Sequence, residues 1–246
     1  MICKRLVSIE IEEIALQLKQ KLITMNKNKA LANFIFKTIA LAGSLTILSI
    51  ISLVDASPAL AHHPNGGEIP STFAAGFLSG LGHPVIGIDH LVFVIAIGLA
   101  AALSKKLGRV IPAIFVLATA LGTVIHLQSI DLPVVEIIIA ASVLLMGVFL
   151  AKKETTNLAL LIVVSAIAGI FHGYAYGESI VGAETTALGA YLLGFCVIQL
   201  AISTGAYYLA KQIIEQSTMP NILPLRFAGF TICGIGFSFL SNAILG

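Results

Sequence analysis

Charge is the scarcest commodity in this 246-residue chain. Asp, Glu, Lys and Arg together make up 11% of it, and tryptophan is absent. A soluble domain carries roughly a quarter charged residues, so a water-facing globular fold is excluded. With 58% hydrophobic residues and a mean hydropathy of +1.01, the chain belongs in a lipid bilayer. Cysteine is nearly missing too. Cys3, Cys196 and Cys233 include no Cys-x-x-Cys pair, which excludes a disulfide framework and a thiolate metal site; Cys196 and Cys233 read as small core residues. No Gly-x-x-x-x-Gly-Lys-Ser/Thr loop occurs, so the chain has no ATPase motif, and no His-Glu-x-x-His signature marks a zinc protease. The pI near 8.4 is no argument for nucleic acid, since seven of the fourteen Lys and Arg residues lie before residue 38.

That early segment reads as a targeting sequence. Residues 1–25 carry the amphipathic charges Glu10, Glu12, Glu13, Lys19 and Lys21 ahead of a second start at Met25, and read as an over-extended start or leader. Residues 26–61 have the form of a cleavable signal peptide: Lys27, Lys29 and Lys37, then the apolar stretch Thr38 to Val54, then Ala59-Leu60-Ala61. The alternative is an uncleaved anchor, since the apolar stretch is long for a signal. The mature domain is expected over 62–246, beginning at His62.

Six apolar runs follow, at about 71–103, 109–127, 132–151, 157–176, 185–210 and 223–245, each long enough for a hydrocarbon core of about 30 Å. The expected fold is all-α, a polytopic membrane bundle of about six transmembrane helices. Lys105, Lys106, Arg109, Lys152, Lys153, Lys211 and Arg226 fall after the first, third and fifth runs. By the positive-inside rule these connections are cytoplasmic and both mature termini lie outside the bacterial plasma membrane. On that topology every histidine lies in the outer half of the membrane or beyond it, opposite the fixed positive charge, an arrangement that favours cation capture from outside.

The first run contains His83-Pro84-Val85-Ile86-Gly87-Ile88-Asp89-His90. Two imidazoles and a carboxylate are costly to bury in lipid without a partner. Imidazole nitrogen with carboxylate oxygen suits first-row divalent ions such as Ni²⁺, Co²⁺ and Zn²⁺. In a regular helix His83 and His90 stand about 10 Å apart along the axis, too far for one ion. Pro84 and the glycines Gly76, Gly80, Gly82 and Gly87 point to a break near His83-Pro84, with a short leg from Ser71 to Leu81 and a full helix from Pro84. Transporters use such breaks as ion sites. The bland alternative makes His83 a helix cap and Asp89-His90 an interhelical hydrogen-bonding pair. Gly76-x-x-x-Gly80 reads as a close helix-packing surface.

The fourth run ends in Phe171-His172-Gly173-Tyr174-Ala175-Tyr176-Gly177-Glu178. Here His172 reads as a ligand, Glu178 as a carboxylate gathering cations at a mouth, and Tyr174 and Tyr176 as an interfacial aromatic belt. Together the two motifs resemble the HupE/UreJ family of bacterial membrane proteins, associated with hydrogenase and urease gene clusters and regarded as nickel or cobalt permeases. The first matches His-Pro-x-x-Gly-x-Asp-His at His83, Pro84, Gly87, Asp89 and His90. The second matches Phe-His-Gly-x-Ala-x-Gly-x-Glu at Phe171, His172, Gly173, Ala175, Gly177 and Glu178. The resemblance implies that His83, Asp89 and His90 are tied to metal transport. Many members carry a second histidine where this chain has Tyr176, which removes one possible ligand.

Further candidates are His62 and His63, a short chelating pair at the outer mouth if the chain starts there; Glu136, a pathway carboxylate; and His126, which reads more readily as an interfacial residue than as a ligand. The leading expectation is a secondary permease rather than an enzyme. It needs no catalytic cofactor, and its partners are Ni²⁺ or Co²⁺ as cargo and the lipid bilayer. Two other classes stand beside it: an intramembrane zinc-dependent hydrolase with Glu136 or Glu178 as base, and a metal-binding assembly factor for hydrogenase or urease that does not transport.

Overall fold

The six apolar runs become seven helices in the computed structural model, which describes residues 69–104, 107–152, 157–216 and 222–246. They are α1 (Phe73–Ile86), α2 (Ile88–Leu103), α3 (Val110–Leu127), α4 (Val135–Ala151), α5 (Leu158–Glu178), α6 (Thr185–Gln216) and α7 (Leu223–Leu245). Local chemistry sets several starts. The Thr72 hydroxyl accepts from the Ala75 amide, the Asn157 side chain accepts from the Ala159 amide, and a proline lies in the first turn of α7. The proposed leader and signal segments, with His62 and His63, lie outside the described residues.

Helices α3, α5, α6 and α7 are each long and apolar enough to cross a membrane, and α1 with α2 qualifies as one span bent by 79°. At 17 residues α4 is shorter, about 25 Å, at the lower edge of what a crossing needs. The break expected near His83-Pro84 falls three residues later, at Gly87. Pro84 sits in the last turn of α1, where its missing amide removes only one of the final bonds and the helix continues to Ile86. Gly87 then donates to the His83 carbonyl and turns into an extended conformation, φ −71°, ψ 102°. These angles suit any residue, so glycine is required for space: a Cβ would lie 2.7 Å from His90 Cδ2 and 3.3 Å from Asp89 Oδ1.

Glycines also set how the helices pair. Gly76 packs on the Ala187 carbonyl and Gly80 on that of Tyr191, so α6 runs in the same sense as α1, and Gly98 packs on the Ser203 carbonyl, so α6 backs α2 as well. Gly169 meets Phe115, Gly173 meets Thr119 and Gly177 meets His126, making α3 and α5 parallel. Gly229, Cys233 and Gly236 meet Leu150, Gly147 and Leu144 in turn, making α4 and α7 antiparallel. These directions are those of a chain whose first, third and fifth runs point one way and whose other three point back. In lipid, where apolar burial between helices gains little, such close backbone approach supplies the packing.

The largest apolar core lies between α2, α3, α4, α5 and α6, around Phe93, Ile97, Phe115, Met146 and Leu161. Basic ends gather with it. Arg226 donates to the Ala151 carbonyl at the C-terminus of α4, while Arg109 is hydrogen-bonded to Tyr207, over whose ring Lys211 lies at 5.9 Å. Gly173→Val is expected to force α3 and α5 apart, because any Cβ there would run into the backbone of Thr119. The loss should be about 1–3 kcal/mol, as for an overpacked core, read as a lowered melting temperature in detergent, whereas Gly189→Ala, in open space, should melt as wild type.

Candidate metal centre

Three histidines from three helices come together inside the bundle: His83 in the last turn of α1, His90 in the first turn of α2 and His172 in α5, exposed by 1%, 0% and 0%. The Gly87 bend allows this, because it folds the start of α2 back against the end of α1 and brings the His83 and His90 rings to 5.8 Å. Tyr176 stands between them, its ring 4.9 Å from His83 and 4.6 Å from His90.

His90 and His172 meet directly, Nδ1 to Nδ1, at 2.8 Å. The surrounding hydrogen bonds fix their protonation. Ser142 on α4 gives its only proton to the Ile139 carbonyl at 2.7 Å, so towards His172 Nε2, 3.0 Å away, its oxygen accepts. Neutral His172 therefore carries its proton on Nε2 and presents a lone pair at Nδ1, and His90 Nδ1 donates to it. A donor-free nitrogen facing a second imidazole, with its far side held by a hydroxyl, is how metal-binding histidines are oriented. Two nitrogens each about 2.1 Å from one ion stand about 3.0–3.4 Å apart for octahedral or tetrahedral angles, so a shift of under an ångström, with the His90 proton moved from Nδ1 to Nε2, would give this pair the spacing of two imidazole ligands. Phe93 stacks on His172 at 4.5 Å and Phe115 lies edge-on at 6.0 Å, closing that side with apolar rings.

His83 is held differently. The hydroxyls of Ser179 and Tyr191 reach its Nδ1 at 3.0 and 2.9 Å, and both also donate to the Tyr176 carbonyl. This pins the ring between α5 and α6. Asp89 is half-buried, and its carboxylate accepts from the His90 amide at 2.8 Å, placing negative charge at the start of α2, where the helix dipole favours it.

The other candidates lie elsewhere. Glu178 is exposed at the end of α5, and Glu136 is exposed in the first turn of α4. His126 is half-buried at the end of α3, packed edge-on against Tyr174 at 4.4 Å. Among the described residues no three His, Cys, Asp or Glu side chains converge closely enough to hold an ion between them; the arrangement is a histidine pair with a third imidazole alongside. The expected aromatic belt is absent here: Tyr174 and Tyr176 are buried, Tyr174 against His126 of α3, which Gly173 and Gly177 allow to come close, and Tyr176 against His83, His90 and Phe195 of α6. Sequence reasoning missed Ser142, Ser179, Tyr191 and Gln199. Ser142, Tyr191 and Gln199 are polar groups within apolar runs, the one signal that marked them, whereas Ser179 follows Glu178 just beyond α5.

A family model described as HupE / UreJ protein matches residues 50–239, more than three quarters of the chain and both histidine motifs. The chain belongs to the HupE/UreJ family. It is 34% identical over 123 residues to Protein HupE of Rhizobium leguminosarum bv. viciae, a match covering 50% of this chain and 62% of that protein. No solved structure matches the chain. Family membership and the apolar helices together make it a multi-pass membrane protein.

Ser142→Ala leaves the His172 Nε2 proton without its acceptor. The expected cost is about 1–3 kcal/mol, measured as a fall in melting temperature. In ¹⁵N spectra of histidine-labelled protein, the Nε2–H signature of one ring should weaken in the variant.

Proposed function

We propose that this chain is a secondary permease that imports Ni²⁺ or Co²⁺ across the bacterial plasma membrane, with the mature N- and C-termini outside. The observation that carries this reading is the His90–His172 contact, which joins the two motifs inside a bundle of apolar helices. A buried imidazole with a lone pair facing a second imidazole offers the borderline ligands that late first-row ions prefer. The His83 ring lies 5.8 Å from that of His90, and Asp89 adds negative charge beside His90. The exposed Glu178 then acts as a collector at the mouth, raising the local cation concentration before the ion meets the histidines.

The basic residues support the inward direction. Arg109, Lys152, Lys211 and Arg226 lie at the helix ends away from the histidines, where the positive-inside rule places the cytoplasm. A divalent cation moving inward gains about 4.6 kcal/mol per 100 mV of membrane potential, enough to drive uptake with no ATP site in the chain. On this reading the protein is not an enzyme, needs no catalytic cofactor, and delivers metal for hydrogenase or urease. The zinc-hydrolase alternative is disfavoured because Glu136 and Glu178, its two candidate bases, are exposed while the histidines are buried.

The test is uptake of radioactive Ni²⁺ and Co²⁺ by cells lacking their own high-affinity importers. Wild type should give saturable uptake. His90→Ala and His172→Ala, at matched membrane levels, should each lose it by about a hundredfold or more, as when a metal ligand pair is broken. Glu178→Gln should retain the maximal rate with a weakened apparent affinity that high salt masks. Absence of uptake by correctly inserted wild type would overturn the proposal.

A further inference from the structure

Beyond the two motifs, one buried side chain is left with an unanswered hydrogen-bonding atom in the same region. Gln199 on α6 is fully buried, and its amide orientation is set by its neighbours. Thr119 gives its only hydroxyl proton to the Val116 carbonyl at 2.7 Å, so it can only accept from Gln199; the Phe195 carbonyl, too, can only accept. The amide nitrogen therefore faces both, at 3.4 Å from Thr119 Oγ1 and 3.1 Å from the Phe195 oxygen. The amide oxygen is turned the other way, and among the described residues it has no hydrogen-bond partner. A buried amide oxygen without a donor is costly to keep away from water.

Its position joins it to the histidines. Thr119 is the residue against which Gly173 packs, next in sequence to His172. The Phe195 ring lies 5.5 Å from Tyr176 and 5.7 Å from Tyr191, which holds His83. Gln199 lies eight residues along α6 from Tyr191, about 12 Å nearer the basic end of that helix. Ser203, also fully buried, follows one turn on.

We propose that Gln199 Oε1 is a second binding station for the divalent cation, an oxygen ligand that takes the ion as it leaves the histidine pair towards the cytoplasm. The inference rests on the permease reading for its direction of travel, while the cation affinity of the site stands apart from it. A neutral amide oxygen is a weaker ligand than imidazole for late first-row ions. It suits a station that must release its ion, since conduction needs sites that bind weakly enough to let go.

The full chain, purified and reconstituted in proteoliposomes, tests this with Co²⁺. Gln199→Met, close in shape but without the oxygen, should slow initial uptake by about tenfold, with binding at the histidines followed by cobalt absorbance unchanged. Gln199→Glu should bind Co²⁺ about tenfold more tightly, because a carboxylate replaces the amide oxygen. Wild-type uptake by Gln199→Met overturns the station. So does a Gln199→Glu protein that melts differently but binds Co²⁺ as wild type does, the outcome of a purely structural role. If wild type transports no cobalt, the permease reading falls, and Gln199 is then decided by binding alone, equal affinity of wild type and Gln199→Glu overturning it.

Discussion

Imidazoles inside a bilayer have to find their partners within the protein, and the pairing of His90 with His172 is how this chain meets that demand. It links α2 to α5, and through Ser142 it draws in α4. His83 adds α1 and, through Tyr191, α6. Five helices thus share one polar centre, so their packing and the protonation of the histidines are a single problem. A half-satisfied network of this kind would cost more than an apolar core. Here the hydroxyls of Ser142, Ser179 and Tyr191 supply bonds that lipid cannot, while the buried Tyr176 hydroxyl has no hydrogen-bond partner among the described residues.

The centre depends in turn on glycines placed where backbones touch. Gly80 lets α1 lie on α6 at the level of Tyr191, and Gly173 lets α5 lie on α3 beside His172. Gly87 serves the bend, leaving room for the His90 ring where α2 turns away at 79° from α1. The two sequence motifs are in this sense half polar group and half clearance: the histidines form the buried polar centre, and the glycines next to them allow neighbouring helices to come close enough to complete it.

Much of this was legible in the sequence because lipid imposes a coarse and strict rule. Six apolar runs marked the helices, and the costliness of His83, His90 and His172 in an apolar setting marked the side chains that the fold brings together. The break was misplaced by three residues because Pro84 is the stronger helix breaker in isolation, while the bend depends on the space that Gly87 leaves for His90, a tertiary contact. Tyr174 and Tyr176 were assigned to an interface for the same reason: their composition suits a headgroup belt, and only helix pairing shows that they are enclosed. Ser142 and Tyr191 come from distant parts of the chain, and spacing alone does not bring them to the histidines.

The central claim is that the His90–His172 pair opens to hold a transition-metal ion. X-ray absorption of the purified protein loaded with one equivalent of Co²⁺ or Ni²⁺ tests it most directly. Imidazole nitrogens at about 2.1 Å, at least two of them in wild type and fewer in His172→Ala, are the predicted result. An ion surrounded only by oxygen, or a spectrum unchanged by His172→Ala, would contradict it.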